Sequence, residues 1–392
     1  MKTEPLPASP ILLLVAGAKG AVGSTLAAAV AAGGVDAETL SQNLTTRNRF
    51  SGGFPPVTFQ MAGWDVVSEP YPRVWEQNSV LPEALRRRYR DPAAAIPVRE
   101  APEPGMPRKR VEDSIREDLE AFQSMHPGSW PVLINLLPAA PGKGTPNDRG
   151  SGSVSSGTGG SFPDAAYALA AVKAGIPVVN FTPNALESDT LLSIAAKKGV
   201  PVAGRDGKTG QTFFKVVLAS AMKARALNVQ GWYSLNLLGN ADGKNLMIPE
   251  NAAGKLANKT AVLDAVFEPS REKGDPGVYH KVRIDYYPPR GDAKEAWDLI
   301  DFSGLFGLPM SLRVNLMGRD SILAAPMILD LARWMTALKA AGWGGPVPEL
   351  AFYFKTPVGA KAPSTFQEQL FALDTLEERV MAVMPGGKKR PA

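Results

Sequence analysis

Residues 11–24 read Ile11-Leu12-Leu13-Leu14-Val15-Ala16-Gly17-Ala18-Lys19-Gly20-Ala21-Val22-Gly23-Ser24. The apolar run predicts a buried strand over 11–15, and the alanine-rich stretch behind it predicts a helix over 24–32. Gly17, Gly20 and Gly23 give the order of strand, tight turn and helix found in dinucleotide sites, where absent side chains let the backbone approach a pyrophosphate. The spacing is GxxGxxG rather than GxGxxG, and a glycine turn of this kind also opens helices that bind no nucleotide.

Working outward, apolar runs and helical patterns alternate. Strands are predicted over 131–137, 177–181 and 200–203, and helices over 163–174 and 187–198. Such alternation is the signature of βα units around a largely parallel sheet. Folds of this class bind ligands outside the carboxyl ends of their strands. From residue 230 the texture changes to longer alternating runs, 232–238, 279–287 and 310–316, which predict a mixed or antiparallel second unit. Residues 320–340 then return to helix, with Pro326 either bending it or marking its first turn. The segment 142–160, rich in glycine and serine, predicts a mobile excursion that is either a lid or an inert insertion.

The chain has 392 residues, enough for two domains with a cleft between them. It contains no cysteine and only two histidines, His126 and His280, which excludes disulfides, thiolate metal sites and cysteine nucleophiles and argues against a histidine-based catalytic metal site, so no metal is expected among the site groups. A formal charge of +5 does not call for nucleic acid. The run 11–15 is too short to span a membrane and the start of the chain does not read as a signal peptide, so a cytoplasmic protein with neither membrane nor nucleic-acid partner is expected.

Asp206-Gly207-Lys208-Thr209-Gly210-Gln211-Thr212 precedes a helical pattern. Its backbone amides would lie at a helix N-terminus, which attracts phosphate, although an ordinary capped helix start fits the same residues. Asn240, Asp242 and Asn245 lie in a turn-rich stretch and suit either a sharp turn or hydrogen bonds to sugar hydroxyls. Lys255 and Lys259 stand four apart, placing two ammonium groups on one helical face, while Lys294 follows a strand-like run and Lys355 lies in an apolar setting.

These blocks, with Val179-Asn180-Phe181-Thr182-Pro183-Asn184 and the stretches 286–297, 320–330 and 354–357, resemble the myo-inositol 1-phosphate synthase family in order and through most of the chain. The resemblance implies redox-neutral cyclisation of glucose 6-phosphate to inositol phosphate with NAD as a tightly held cofactor. It implies a Rossmann-like α/β domain from residues 1–240 and 318–392, with an inserted α+β domain, 241–317, that carries catalysis and assembles a homotetramer. It further implies a catalytic cluster of Lys255, Lys259, Lys294, Lys355 and Asp206. Lys259 and Lys355 would act at the oxygen that is oxidised and reduced, Lys255 near the aldehyde, and Lys294 near the phosphate or enolate. Lys208, Thr209, Gly210, Gln211 and Thr212 would hold the phosphate, and Asn236, Asn240 and Asn245 the hydroxyls. NAD would meet Gly17, Gly20, Ala21, Val22, Gly23, Thr182, Asn184, Asp242, Asp320 and Ser321. A cyclase for another sugar phosphate, or a binding protein that has lost turnover, is the alternative.

Overall fold

The computed structural model describes residues 9–50, 54–55, 57–103, 105–139, 163–240, 243–244, 246–247, 262–267 and 277–384. Strand β1 (Ile11–Ala16) is flanked by β2 (Phe59–Asp65) and β4 (Trp130–Asn135) and has every residue buried. Beyond them lie β3 (Val98–Glu100), β5 (Val178–Asn180), β6 (Pro201–Gly204) and β11 (Gly345–Pro346), in the order β11-β6-β5-β4-β1-β2-β3. Every pairing in this sheet is parallel. The order β3-β2-β1-β4-β5-β6 is that of the Rossmann fold, and chain direction reverses about β1, opening a crevice between the carboxyl ends of β1 and β4.

Both faces are covered, which is why β1 and β4 read as continuous apolar runs instead of alternating. One face packs against helix Ala21–Val35 and helix Asp320–Ala340, the other against Arg108–Met125 and Asp164–Lys173. Helix Asp320–Ala340 continues through Pro326. It has the length and apolarity to cross a membrane, yet 78% of its most apolar window is buried inside this protein, so its composition suits a core helix. Asp330 and Arg333 are buried within it. The Asp330 carboxylate accepts from the amide and hydroxyl of Thr45 at 3.0 and 2.6 Å and from those of Thr46 at 2.9 and 2.5 Å. Burial pushes this carboxyl up, and the four donors oppose that shift.

The second sheet has the order β10-β9-β7-β8, from β7 (Asn228–Leu238), β8 (Tyr279–Tyr286), β9 (Lys294–Ser303) and β10 (Pro309–Gly318). It is mixed: β7 and β8 run parallel, whereas β9 is antiparallel to both β7 and β10. It takes its first strand from Asn228, ahead of the expected boundary at residue 241, because β7 pairs with β9 over nearly its whole length. Helix Gln211–Ala224 covers its inner face through Ala219, Met222, Trp232 and Ile300. The same helix follows β6, so its N-terminus lies where the two sheets meet. The segment 142–160 falls outside the described residues.

Replacing Asp330 with leucine leaves the buried donors of Thr46, and those of Thr45 beside them, without this acceptor. Urea unfolding is expected to show a loss of about 3–5 kcal/mol; a change below about 1 kcal/mol would remove this carboxylate from the core's supports.

Candidate active site

The glycine turn is built for close backbone approach. Gly17 has φ +86°, and a Cβ there would lie 2.9 Å from the Leu136 carbonyl oxygen. A Cβ on Gly23 would lie 2.4 Å from the Gly17 oxygen. Helix Ala21–Val35 starts with neither a capping side chain nor an acidic residue in its first turn, so the amides of Ala21, Val22 and Gly23 present a positive helix end. Asp65, at the carboxyl end of β2, accepts from the Lys19 amide at 2.7 Å and the Val67 amide at 2.9 Å. An acid at this strand end is the usual partner of a ribose hydroxyl in such folds. The sequence reading missed it because the chain between the glycines and β2 is far longer than the usual spacing of about 20 residues.

At the ends of β4 and β5, Asn135, Asn180, Thr182, Asn184 and Asp164 form a polar network. Asn135 Nδ2 donates to Asp164 Oδ1 at 2.7 Å, and Asn184 Nδ2 reaches the same oxygen at 2.9 Å. Thr182 Oγ1 donates to Asn180 Oδ1 at 3.1 Å. Burial raises the Asp164 carboxyl pKa against the pull of these amides. Thr182 and Asn184 thus stand at the carboxyl edge of the sheet, where their first contacts fasten strand ends together.

The next loop carries the charged groups. The Asp206 amide donates to the Thr182 carbonyl at 2.9 Å, and its φ of +62° is a left-handed conformation uncommon for a residue with a side chain. Asp206 Oδ1 accepts from Lys355 Nζ at 2.8 Å, with both side chains largely buried. Asp320 accepts from Thr209 Oγ1 at 3.0 Å and from Lys294 Nζ at 3.0 Å. A Cβ on Gly210 would lie 3.4 Å from Asp320 Oδ1, so this carboxylate sits beside the N-terminus of helix Gln211–Ala224, which has no side-chain cap of its own. Burial pushes the Asp320 carboxyl up, but Lys294, Lys355 and the Thr209 hydroxyl outweigh it and hold the group well below the usual carboxylate range.

The inner face of the second sheet completes the wall. Pairing aligns Ser234 with Asp298, Asn236 with Ala296, and Leu238 with Lys294, so Asn236 lies on the same face between Asp298 and Lys294. Asp298 accepts from Gln211 Nε2 at 2.9 Å, Trp232 Nε1 at 2.8 Å and Ser234 Oγ at 2.5 Å. Asn236 is fully buried, and among the described residues neither its Oδ1 nor its Nδ2 meets a hydrogen-bond partner. A buried amide with both ends unsatisfied is costly, and such groups mark places where a polar ligand or water completes the bonding. Beneath it Lys215, 1% exposed, places Nζ 2.8 Å from His280 Nε2 and 4.0 Å from Asp298. Burial lowers the Lys215 pKa to about 8, with Asp298 opposing and Lys294 reinforcing the shift.

The expected residues therefore divide. Lys294, Lys355, Asp206, Thr209, Gly210 and Asn236 come together with Asp320, which joins the lysines rather than the glycine turn, and buried Ser321 follows it on the same helix. Gln211 and Thr212 begin the helix and are buried, the Gln211 side chain turning to Asp298. Asn240 Oδ1 accepts from the Gly243 amide at 3.1 Å, a turn contact. Lys208 departs from expectation: it is 2% exposed, and its ammonium bonds to the Ala351 carbonyl at 3.0 Å and Gln369 Oε1 at 2.7 Å, both neutral acceptors. Lys255, Lys259, Asp242 and Asn245 lie outside the described residues.

Fold and site together define a Rossmann-type protein with a lysine–carboxylate site at a helix N-terminus. Residues 210–321 match the family model described as myo-inositol-1-phosphate synthase. Inositol-3-phosphate synthase 1 of Bacteroides thetaiotaomicron is 46% identical over 200 residues, covering 50% of this chain and 46% of its own. The rice protein of that name is 34% identical over 171 residues, covering 43% of this chain and 34% of its own, so the matched stretch spans less than half the length of either relative. The structure of inositol-3-phosphate synthase from Caenorhabditis elegans superimposes with a TM-score of 0.81 at 20% identity, covering 99% of this chain and 90% of that one. A myo-inositol-1-phosphate synthase-related protein from Thermotoga maritima gives 0.69 at 18% identity, covering 95% and 98%. The likeness to the myo-inositol-1-phosphate synthase family thus rests on residues 210–321 and on relatives matched over half of this chain or less, while the fold is shared with the solved synthase along nearly its whole length.

Two ammonium groups, two carboxylates and a helix N-terminus leave the cluster close to charge balance. Asp320→Asn keeps an acceptor for Thr209 while removing one negative charge, so inorganic phosphate is expected to bind about 10-fold more tightly by calorimetry at low salt. Equal or weaker binding would show that the anion does not enter beside Asp320.

Proposed function

We propose that this protein carries out the NAD-dependent, redox-neutral cyclisation of D-glucose 6-phosphate to 1D-myo-inositol 3-phosphate. The observation that carries this reading is the pair of lysines, Lys294 and Lys355, each held by a carboxylate beside an uncapped helix N-terminus. A dianionic phosphate suits that helix end, where the amides of Gln211 and Thr212 and the hydroxyl of Thr209 are to hand. The unsatisfied amide of Asn236 is suited to a sugar hydroxyl.

NAD fits the glycine turn: Gly17 and Gly23 leave room that a Cβ would fill, and the amides of Ala21–Gly23 with Asp65 match a pyrophosphate and a ribose. When bound there it supplies hydride acceptance from C5 of the sugar and later return to the same carbon. The protein's own task is to stabilise oxygen anions. Between the two hydride transfers a proton leaves C6, the C6 carbanion equivalent attacks the C1 aldehyde, and negative charge passes from the C5 oxygen to the C1 oxygen. Positioned ammonium groups serve each stage better than a single base. Lys355, tied to Asp206, is assigned to the C5 oxygen, and Lys294 to the phosphate or enolate. Lys255 and Lys259 are assigned to the aldehyde and the C5 oxygen from the family resemblance alone. The family match to residues 210–321, which include Lys294, Asn236 and Asp320, supports an active enzyme over a binding protein without turnover.

Incubation with NAD and glucose 6-phosphate, followed by product NMR, is expected to give inositol phosphate without net NADH, and Lys294→Ala or Lys355→Ala to lower kcat by about 100-fold or more. Binding without product would favour the inactive reading, a different cyclitol from another sugar phosphate would change the substrate, and steady NADH accumulation would indicate an ordinary dehydrogenase.

The proposal extends to a cytoplasmic homotetramer, assembled through the inserted unit. The outer face of the second sheet supports this, since Trp297 and Tyr233 lie there 51% and 37% exposed beside Leu235 and Leu299. Light scattering is expected to give about four times 41.6 kDa, falling on Trp297→Glu; a monomeric wild-type protein would refute it.

A further inference from the structure

Lys208 is the residue of the Asp206–Thr212 loop that does not join the anion site. Its Nζ donates to the Ala351 carbonyl at 3.0 Å and to Gln369 Oε1 at 2.7 Å, and its amide donates to the Tyr353 carbonyl at 2.8 Å. Lys208 thus ties three segments together: the loop after β6, the chain 348–355 that carries Lys355, and helix Phe366–Val383, which carries Gln369. Next to it the main chains are laced, since the Lys355 amide donates to the Asp206 carbonyl at 2.8 Å and the Gly207 amide to the Phe181 carbonyl at 3.1 Å. Gln369 is itself oriented by donating Nε2 to the Pro363 and Ser364 carbonyls at 3.3 and 3.2 Å.

The chemistry of this junction is unlike that of a phosphate ligand. Both acceptors of the Lys208 amine are neutral carbonyl oxygens, and the group is buried at 2% exposure. Burial lowers its pKa to about 7. A neutral amine still has two N–H groups, one for each acceptor, so the junction survives loss of the proton. A lysine meant for a dianion gains most from a permanent charge facing the ligand. A lysine meant to fasten two carbonyls needs only its reach and its donors.

We propose that Lys208 is a positioning residue that fixes the segment 351–355 against the Asp206 loop, so that the Lys355 ammonium meets Asp206 and the reacting oxygen. The effect on turnover rests on the cyclase reading above; the effect on the segment does not. Displacing a reacting group by about 1 Å can cost about 100-fold in rate. The variant Lys208→Met keeps the chain length and removes the donors. Gln369→Leu removes one acceptor outside the loop, and Lys208→Gln keeps donors on a shorter side chain.

The experiment uses the full chain with NAD and measures kcat, KM for glucose 6-phosphate, inhibition by inorganic phosphate, and hydrogen exchange over 351–356. Lys208→Met is expected to lower kcat about 10- to 100-fold with KM and phosphate inhibition within about 3-fold of wild type. Exchange over 351–356 is expected to speed up about 10-fold or more. Lys208→Gln is expected to regain part of kcat, and Gln369→Leu to move both readouts the same way by less. A large rise in KM and in the phosphate inhibition constant with kcat preserved would make Lys208 a phosphate ligand and overturn the proposal. Unchanged exchange in Lys208→Met, or in Gln369→Leu where the first variant fails to fold, would also overturn it. A wild-type protein that forms no cyclised product defeats the cyclase reading alone, since exchange and phosphate affinity still decide the place of Lys208.

Discussion

The site depends on the ion pair between Asp206 and Lys355. One partner leaves the parallel sheet just after β6 and the other follows β11, the strand that returns from the second sheet to pair with β6. The pair therefore closes the excursion the chain makes through the second sheet, and it does so at the carboxyl edge where a ligand would lie. Its worth is not raw stability. A largely buried ion pair roughly breaks even against apolar packing, while loss of one partner strands a charge. What it secures is register between the loop after β6 and the segment around Lys355, with Asp206 accepting Lys355 through both its side chain and its main-chain carbonyl.

The parallel sheet was legible in the sequence because strands buried on both faces are apolar along their length, with polar residues confined to the carboxyl ends of β4 and β5. β1, β5 and β6 stand out for that reason, and the glycines after β1 locate the crevice. β9 was not legible. Its inner face carries Lys294 and Asp298 among Ala296 and Ile300, so the alternation that marks a half-buried strand is broken by the very groups that make the site. β2 was obscured in a related way by Gly63, whose absent side chain admits the Val15 carbonyl, 2.2 Å from where a Cβ would be. The site's charged groups account for the first departure from pattern and close packing of β2 on β1 for the second.

Among site residues, those whose role follows from their own neighbours along the chain were readable: Thr209 and Gly210 stand at a helix start and meet Asp320 there. Asp298 and Asp65 were missed because their meaning comes from strand position, which a single sequence does not display. Lys208 illustrates the opposite case. Its setting in a glycine- and hydroxyl-rich loop suggested phosphate, yet its acceptors lie 143 and 161 positions away in the chain. No local pattern encodes such a contact, whereas burial decides it at once.

Charge balance explains why so many ionisable groups can share this edge. Lys294 and Lys355 would repel one another and any further lysine unless neutralised, and Asp320 lies under the influence of both. Because those ammonium groups hold its carboxyl well below the usual range, Asp320 binds fewer protons in the folded protein than in the unfolded chain near pH 3–4. Its contribution to stability is thus fully present above about pH 4 and is lost as pH falls through the depressed native value. At neutral pH the carboxylate remains charged and keeps the lysines ordered without a ligand. On the proposed reading, an arriving phosphate would find a preorganised cation pair and helix end, and would need only to displace part of the carboxylate's share of them. Preorganisation of this kind would cost the site some affinity for the first anion and, in the proposed reaction, would spare it the reorganisation that otherwise accompanies each shift of charge along the substrate.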